Sequence, residues 1–545
     1  MPVQATLLLP FKKALLNGAS SLRIGVVFDR GRPSPWVDAL LTFLRQVPGI
    51  DIHLLTVAFQ SPSELKRPGW LMDRLYSASR ARFDPFGDVT LDGAVSFAPE
   101  SLDAIRAAGC GVIIWLAGCP CQDPDVKVGD LATYGVFTVR FGDRNRTIPF
   151  WDEVANSSVT SAVTVFWHDS SFAQGRAVRK AETSTVQGLF LTMNAEQPLV
   201  ATIRMLAALC LEVRSGGPQF EEMVRKLPTQ CLAGAVPPEV PSNFEAARFV
   251  ATKLMRSAHL RWIARGKTSR WFIAMRPNRG ESITDPARLN LTGFTEVPLP
   301  RGVEEMADPF LWEAAGSQYL LFEEVAAGQS RGRLGCVEVL KDGSCSEMKI
   351  ILERPYHLSY PCVVPRNGDQ FLLPESAEAD RVDIYRFSSF PWEVELVSSP
   401  IEGLALVDTT PVFLDDHWYF FTTTAGPFME TLLFSAARLE GPWSLHPCNP
   451  VSTTVRNSRS AGQLFWRDGR LFRPTQDCSV RYGYGIVVNE VTKLTPSEFE
   501  EHPVSYVSPS WSPGLRGTHT WNESSRFQVL DGNRFVNHSG APAAA

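Results

Sequence analysis

Two aspartates stand at the same position of an internal repeat, where their carboxylates could do acid–base chemistry together. Asp308 opens the apolar strand Asp308-Pro-Phe-Leu-Trp, and Asp408 opens Asp408-Thr-Thr-Pro-Val-Phe. Reaction at an acetal carbon needs two carboxyl groups in one concave site: one protonates the leaving oxygen, and the other activates water or attacks. Local turn hydrogen bonds at a strand start explain either aspartate alone equally well. Their recurrence at one repeat position favours a functional role.

The repeat extends from about residue 268 to residue 535. Each of its five copies begins with a polar residue and an apolar strand, followed by a turn and an aromatic-rich strand. The copies begin about 50 residues apart, the length of one four-stranded propeller blade. Residues 271–275 precede the first copy and are predicted to add a strand to the fifth, which closes the ring. The sequence therefore predicts an all-β, five-bladed β-propeller over residues 268–535.

The innermost strands of a propeller run beside its axis, so the residues that start them share a funnel. Tyr360, Ser460 and His519 take this position in the other three copies. The ends of the second strands bring further polar residues to the rim, namely Glu323, Glu375, Gln476 and Asp477. We predict that Asp308, Asp408 and Glu375 are catalytic and that the other residues contact a sugar or sugar phosphate. No metal ligand is assigned, and the sequence does not indicate a cofactor.

The strand starts also resemble motifs of the five-bladed glycosidases of glycoside hydrolase family forty-three. Ala307-Asp308-Pro309 resembles the first-blade motif, and Val407-Asp408-Thr409 the third-blade motif. The resemblance implies that Asp308 is the general base, that Asp408 tunes and positions the acid, and that His519 is the axial histidine of blade five. In that family a glutamate that opens blade four is the acid, whereas this chain has Ser460 there. Protonation of the leaving group would fall to Glu375, or to no residue if a phosphate leaves.

A second resemblance extends over nearly the whole repeat region. Six motifs resemble, in order, the propeller domain of plant glucosamine inositolphosphorylceramide transferases, a domain that also occurs in bacterial proteins. They are Ser359-Tyr-Pro, Leu373-Pro-Glu-Ser376, Val407-Asp-Thr-Thr410, Arg473-Pro-Thr-Gln-Asp477, Arg481-Tyr-Gly-Tyr484 and Gly517-Thr-His-Thr520. The resemblance implies a carbohydrate-active role, to which Arg473 contributes as a substrate-binding residue, but it does not imply a particular reaction.

The first 215 residues alternate strand and helix patterns and predict an α/β domain. Strands are predicted at residues 22–28, 50–57, 112–116 and 136–141, and a closing helix at about 198–213. Near-continuous apolar strands between amphipathic helices indicate a parallel sheet covered on both faces.

The strand order and residues 134–140 resemble the folate-dependent formyltransferases. Those enzymes use an Asn and a His on this strand and an Asp in a later loop, whereas Thr138, Arg140 and Ala173 occupy the matching positions. Because arginine is not a general base at neutral pH, the resemblance implies that formyl transfer is lost. Arg140 with residues 143–146 could bind an anion or phosphate, and a solvated charged loop explains these residues equally well.

Residues 216–267 are predicted to connect the two domains. Pro237-Pro-Glu-Val-Pro241 is a stiff segment, after which Ser242 and Glu245 form a capping box that opens a helix to about Arg265. The helix is basic and amphipathic, so it could touch a membrane or pack between the domains. The second alternative is favoured here.

Bulk properties exclude several classes of protein. A chain of 545 residues with 44% hydrophobic and 20% charged residues is expected to form two globular domains. A net charge of −5 gives no reason to expect a nucleic acid as partner. The longest apolar stretch, residues 111–118, is too short to cross a bilayer, and no secretory signal is recognised, so a cytoplasmic protein is predicted. The ten cysteines, with only Cys119 and Cys121 close together, are predicted to be structural thiols. Residues 536–545 are predicted to be a disordered tail.

Three functions remain open from the sequence. The leading hypothesis is an enzyme that hydrolyses or transfers a glycosidic or glycosyl-phosphate bond in the propeller funnel. The alternatives are a non-catalytic sugar-binding protein and a formyltransferase-like enzyme with altered chemistry in the first domain.

Overall fold

The computed structural model describes residues 21–29, 34–57, 59–60, 69–85, 96–97, 99–116, 131–142, 148–170, 172, 174–231 and 241–537. It divides into two compact units, Met1–His259 and Leu260–Ala545. Cys119, Cys121, Ala173, residues 143–146, residues 237–240 and residues 538–545 lie outside the described part.

The first unit is an α/β structure built around one large sheet. Its strands are β1 Leu22–Asp29, β2 Ile50–Val57, β3 Phe59–Gln60, β4 Ser96–Phe97, β5 Val112–Trp115, β6 Val136–Phe141, β7 Thr160–His168, β8 Gln174–Ser184 and β9 Thr229–Cys231. Its helices are α1 Pro35–Arg45, α2 Trp70–Arg82, α3 Pro99–Ala107, α4 Trp151–Ala155, α5 Glu196–Arg225 and α6 Asn243–Ala264, with a 3₁₀ turn at Leu191–Ala195. The long helix α5 is interrupted at Gly216, whose φ of −147° and ψ of 38° are not helical.

The sheet of the first unit is mixed, which corrects the expected all-parallel sheet. Its strand order is β2-β1-β5-β6-β7-β8-β9. The first four strands pair in parallel, whereas β6, β7, β8 and β9 pair antiparallel. Parallel neighbours need a crossover of a dozen or more residues, and only five residues separate β7 from β8. The short connection therefore forces a hairpin.

Helix α6 begins as the sequence predicts. The Ser242 backbone N–H donates to Glu245 Oε2 at 2.8 Å, and the Glu245 N–H donates to Ser242 Oγ at 3.2 Å, which confirms the capping box. One face of the helix packs on the first unit through Ala246, Phe249 and Lys253. The buried Lys253 ammonium donates to Ser157 Oγ and Gln187 Oε1. Burial lowers the pKa of Lys253 to about 8.

The second unit confirms the five-bladed β-propeller. Blade one contains β12 Val303–Ala314, β13 Ser317–Ala326, β14 Gly332–Val339 and β15 Lys349–Leu352; blade two contains β16 Ser359–Arg366, β17 Asp369–Glu375, β18 Arg381–Ser389 and β19 Glu393–Glu402. Blade three contains β20 Leu406–Leu414, β21 His417–Thr424, β22 Thr431–Ala436 and β23 Ser444–Leu445. Blade four contains β24 Arg459–Ser460, β25 Phe465–Arg467, β26 Arg470–Asp477, β27 Gly485–Leu494 and β28 Phe499–Val507.

Blade five joins the two ends of the propeller sequence. It contains β10 Lys267–Pro277, β11 Thr295–Glu296, β29 Leu515–Gly517, β30 Trp521–Glu523 and β31 Phe527–Asn537, with short 3₁₀ turns elsewhere in the unit at Ala377–Ala379 and Pro509–Trp511. Strand β10 pairs antiparallel with β31 along its whole length, from Lys267 opposite Asn537 to Pro277 opposite Phe527. The predicted closure by residues 271–275 is therefore confirmed, and it removes two exposed sheet edges.

Apolar side chains fill the wedges between successive blades. One core lies between blades two and three, where Leu373, Ile384, Trp418 and Phe420 are buried together. Another lies between blades four and five, around Ile486, Val488, Trp521 and Leu530. Because each core is formed by side chains from two adjacent blades, the blades stabilise one another around the ring. No helix in the described part of the chain is long and apolar enough to cross a bilayer.

Candidate active site in the propeller funnel

The repeat position that begins each innermost strand has an unusual backbone in three consecutive blades. Asp308, Tyr360 and Asp408 have φ values of 50°, 49° and 50°. Each lies at a break in the register with the second strand, between Ala307 and Phe310 in the first case. A bulge turns the side chain away from the alternating pattern of a strand, and a left-handed backbone is costly for a tyrosine. The strain at one shared position indicates a site rather than an accident of packing.

Four carboxyl groups from three blades lie close enough for their charges to interact. Asp308 and Glu323 come from blade one, Glu375 from blade two and Asp408 from blade three. Burial, followed by the negative charges of its neighbours, raises the pKa of Glu323 and that of Glu375 well above the usual range of a glutamate. The pKa of Asp308 is raised to about 6. Burial is the largest cause, His519 opposes it, and Asp408 and Asp531 add to it. Both glutamates therefore hold a proton more tightly than a solvent-exposed glutamate does, whereas Asp308 has a pKa of about 6.

Arg459 is the cation of this cluster. Its Nε donates to Asp408 Oδ2 at 2.5 Å, and its Nη2 donates to Glu375 Oε2 at 3.3 Å. Its guanidinium also lies 4.9 Å from the ring centre of Tyr482. Burial lowers the pKa of Arg459, but Asp408 and Glu375 outweigh that effect, so the guanidinium remains charged. Arg459 opens the fourth blade, next to the position where the resembling glycosidases carry their acid.

Gln476 and Ser460 support Asp408 from blade four. The Gln476 amide donates to Asp408 Oδ2 at 3.1 Å and to the Ser460 carbonyl at 2.9 Å. Ser460 Oγ is buried and has no hydrogen-bond partner among the described residues. A buried hydroxyl without a partner costs free energy, so a bound polar ligand that engages it would recover that cost.

A second network surrounds Asp308 on the blade-five side. Asp531 Oδ1 accepts from the backbone N–H groups of His519 and Thr520, and its Oδ2 accepts from the His519 ring at 2.5 Å and from the Asp308 N–H at 3.3 Å. Thr520 Oγ1 donates to Asp308 Oδ1 at 2.6 Å. Burial lowers the pKa of His519, but Asp531 and Asp308 outweigh it and the net shift is upward. The ring stacks on Trp271 at 3.9 Å.

Asp308, His519 and Asp531 bring potential metal-ligand atoms within 4.8 Å of one another. Four N–H donors already satisfy the two oxygens of Asp531, and a raised pKa keeps the His519 ring protonated more readily than usual. A protonated imidazole cannot bind a metal. This geometry is therefore explained by hydrogen bonding, and we assign no ion to it.

Other predicted contact residues have partners that serve the packing of the propeller. The Tyr360 hydroxyl accepts from the Gly462 N–H at 2.8 Å and lies 2.8 Å from Thr410 Oγ1, which links blades two, three and four. Arg473 pairs with Glu501 of the outer strand β28 at 2.5 Å. Asp477 accepts from the Ser479 N–H and the Tyr506 hydroxyl. Whether any of these residues also contacts a substrate stays a prediction.

Several functional candidates escaped the sequence patterns. His357 accepts from the Gly332 N–H on Nδ1 at 3.0 Å, so its neutral ring carries the proton on Nε2, 3.4 Å from Glu323 Oε1. Asp531 comes directly after the second strand predicted for the fifth copy of the repeat. A prediction that extended this strand by one residue would have included it. Trp271 and His357 lie outside the repeated motif, and no sequence pattern predicted a place in the funnel for either residue.

The predicted anion site of the first unit is described only in part. Arg140 is exposed, with its guanidinium 4.8 Å from the ring centre of Phe166, while residues 143–146 lie outside the described part. Thr138 Oγ1 lies 2.8 Å from Nε2 of the buried His168, whose Nδ1 lies 3.0 Å from the Gln174 carbonyl. A carbonyl only accepts, so Nδ1 carries the proton and Thr138 donates to Nε2.

Comparison with known proteins matches the propeller region. Residues 294–539 match the family model described as glucosamine inositolphosphorylceramide transferase 1, N-terminal. The protein of that name from Oryza sativa subsp. indica is 27% identical over 380 residues, which cover 66% of this chain and 48% of the rice protein. The one from Arabidopsis thaliana is 31% identical over 253 residues, 44% of this chain and 32% of the relative. This chain thus spans about half the length of its rice relative.

Solved structures of a galactanase and a glycoside hydrolase superpose weakly on this chain. An exo-β-1,3-galactanase from Clostridium thermocellum has a TM-score of 0.30 and 13% identity, over 36% of this chain and 48% of that one. A family 117 glycoside hydrolase from Zobellia galactanivorans has a TM-score of 0.32 and 11% identity, over 48% of this chain and 90% of that one. The family model, together with the blade order, shows that the C-terminal propeller of this chain resembles the N-terminal domain of the glucosamine inositolphosphorylceramide transferases.

Proposed function

We propose that the propeller is a carbohydrate-active enzyme that acts on a glycosidic or glycosyl-phosphate bond in its funnel. The observation that carries the proposal is the split of proton affinities among clustered carboxyl groups. Asp308 has a pKa of about 6, while Glu375 has a pKa well above the usual range. A carboxyl group with a raised proton affinity suits a general acid, and one with a pKa of about 6 suits a general base.

Asp308 is the proposed base. Its Oδ1 accepts from Thr520, which orients the carboxylate, and among the described residues no hydrogen bond is donated to its Oδ2. The positive charge of His519 lowers the proton affinity that burial raises, so Asp308 is mostly ionised at pH 7. In this role it removes a proton from the incoming water or acceptor hydroxyl.

Glu375 is the proposed acid, with Asp408 and Arg459 as its positioning residues. Arg459 contacts both carboxyl groups and therefore fixes their separation. Burial and then the negative charge of Asp408 raise the pKa of Glu375, which suits Glu375 to donate a proton to the leaving oxygen. A phosphate leaving group would make this acid dispensable, because it departs as an anion.

The name of the matched relatives favours glycosyl transfer over hydrolysis. Both are named as transferases of glucosamine inositolphosphorylceramide, although this chain spans only part of their length. Transfer and hydrolysis use the same base and differ only in the hydroxyl that Asp308 activates. Sugar binding without catalysis remains the alternative function, and the full engagement of Asp408 by Arg459 and Gln476 is the observation that favours it.

Replacing Asp308 tests the proposal. The purified chain is given nucleotide sugars and aryl glycosides, and Asp308→Asn should lower turnover by roughly 10²–10⁴-fold, the usual contribution of general acid–base catalysis. Asparagine tolerates the left-handed backbone at φ 50°, so folding should be kept. Asp468→Asn is the matched control, since Asp468 has a φ of 52° in a hairpin turn outside the funnel. Full activity of Asp308→Asn would refute the assignment, and sugar binding with no turnover in the unchanged chain would favour the alternative function.

A further inference from the structure

Helix α6 carries an apolar stripe that faces away from the unit on which it packs. Five apolar residues share one side of the helix because they are spaced seven, four, three and four residues apart. They are Phe244, Ala251, Met255, Ala258 and Trp262. Phe244 is 77% exposed, Met255 66% and Trp262 74%. The opposite side contains the buried Ala246, Phe249 and Lys253. The stripe is about 27 Å long, at 1.5 Å per residue.

The start of helix α2 extends this surface at one end. The Leu71 N–H donates to Asn243 Oδ1 at 3.0 Å, so the first turns of α2 and α6 are in contact. Trp70, the residue before Leu71, is 66% exposed, and the Arg74 guanidinium lies 5.8 Å from its ring centre. We call Trp70 and the five stripe residues the α6 face.

The charge around the α6 face has one sign over most of its length. From Ala246 to Lys267 the chain has no acidic residue and six basic ones, Arg248, Lys253, Arg256, Arg261, Arg265 and Lys267, although the whole chain has a net charge of −5. Among the described residues, no ion pair joins Arg256, Arg261 or Arg265 to a carboxylate. Acidic side chains lie near one end of the α6 face, where Asp152 and Glu245 share a cavity of about 190 Å³ with Arg248, and where Asp73 is exposed in the first turn of helix α2.

We propose that the α6 face docks on a bilayer surface that carries anionic lipid headgroups. Tryptophan and phenylalanine settle at the boundary between headgroups and acyl chains, and flanking arginines are attracted to the anionic surface. A straight stripe on a single helix fits a planar surface, with the helix lying in the interface. The bilayer is the proposed occupant because the arginines along the helix are complementary in charge to anionic headgroups, and a second copy of this chain is the alternative outcome of the test.

Vesicle flotation tests this proposal with the full chain. The protein should float with phosphatidylcholine vesicles that contain phosphatidylserine and not with phosphatidylcholine alone, and high salt should weaken the binding. Phe244→Ser combined with Met255→Ser should weaken binding about tenfold or more, because it removes the inserted apolar groups. Arg256→Gln combined with Arg261→Gln should reduce both the binding and its dependence on salt.

The matched control is Leu396→Ser combined with Val397→Ser, which removes two exposed apolar side chains from blade two of the propeller. It should bind vesicles like the unchanged chain, and circular dichroism should show that all variants remain folded. Three results would overturn the proposal: no binding to anionic vesicles at low salt, equal binding by the Phe244/Met255 double variant, or a dimer in light scattering that the same double variant abolishes. The last result would assign the α6 face to self-association.

Discussion

The two units of this chain treat their buried polar side chains differently. In the first unit the buried His168 is satisfied by Thr138 from the neighbouring strand and by the Gln174 carbonyl, both within one sheet. In the propeller, Asp308, Glu375 and Asp408 come from three blades, and burial together with the charge of Asp408 raises the pKa of Asp308 and that of Glu375. Burying like charges together lowers stability, so the funnel carries a cost that the polar pair of the first sheet does not.

The largest expected effect comes from removing the proposed acid. Glu375→Gln should lower turnover by roughly 10²–10⁴-fold for a substrate with a poor leaving group, and far less for an aryl glycoside whose phenolate leaves unaided. Parallel assays with the two substrate types measure the difference. Glu402→Gln, an exposed carboxyl on the outer strand of the same blade, is the control. An equal loss for both substrates would show that Glu375 does not protonate the leaving group.

The loss of Arg459 should be the largest effect on stability. Arg459→Met leaves Asp408 and Glu375 buried without their cation, and we expect the free energy of unfolding to fall by about 3–5 kcal/mol. In the first unit, Arg176→Met should cost about 1 kcal/mol or less, because Asp169 retains Arg225 at 3.0 Å. Urea denaturation of both variants measures the contrast. Equal losses of unfolding free energy would mean that the buried carboxyl groups of the funnel depend on their arginine no more than Asp169 depends on Arg176.

A smaller loss is expected for the polar pair of the first unit. Thr138→Val removes the hydrogen bond from Thr138 to the buried His168 Nε2 and should cost about 1–2 kcal/mol, whereas Thr138→Ser should retain stability. Neither variant should alter turnover in the propeller. A fall in turnover with Thr138→Val, seen also at temperatures where the protein is folded, would transfer the chemistry to the first unit.

The smallest effect is a shift in the pH profile. Turnover should rise with pH as Asp308 loses its proton at a pKa of about 6 and fall again as Glu375 loses its own. Because the charge of Asp408 raises the pKa of Asp308, Asp408→Asn should move the rising limb to lower pH, by about one unit or less. A shift to higher pH would contradict the proposed coupling of the two aspartates.

The pH dependence of stability follows from the same shifts. Glu323 and Glu375 have folded-state pKa values above those of the unfolded chain, so they favour the folded state at low pH. That contribution is lost as pH rises through their folded-state pKa values, when both must ionise in a buried site. In the unchanged chain the melting temperature should therefore fall as pH rises. In Glu323→Gln this fall should be smaller, as measured by calorimetry at acidic and alkaline pH.

Much of the fold was predictable from local patterns. The repeat of strand, turn and strand predicted the five blades, and the strand at residues 271–275 predicted the closure, because each blade follows from short-range alternation and turn chemistry. The capping box of Ser242 and Glu245 was predictable for the same reason. The antiparallel half of the first sheet was not, because strand direction depends on the route of the connection and not on the composition of the strand.

The sequence by itself determined which residue types stand at the start of each innermost strand, and hence that Asp308 and Asp408 face one axis. Only the tertiary structure decided that Arg459 bridges Asp408 and Glu375, that Asp531 holds His519, and that Asp308 titrates near pH 6. Ion pairing and proton affinity depend on distance and burial, which the closure of the ring imposes on residues far apart in the chain. The repeat in the sequence predicts where each blade begins, but it does not predict which side chains of different blades are in contact.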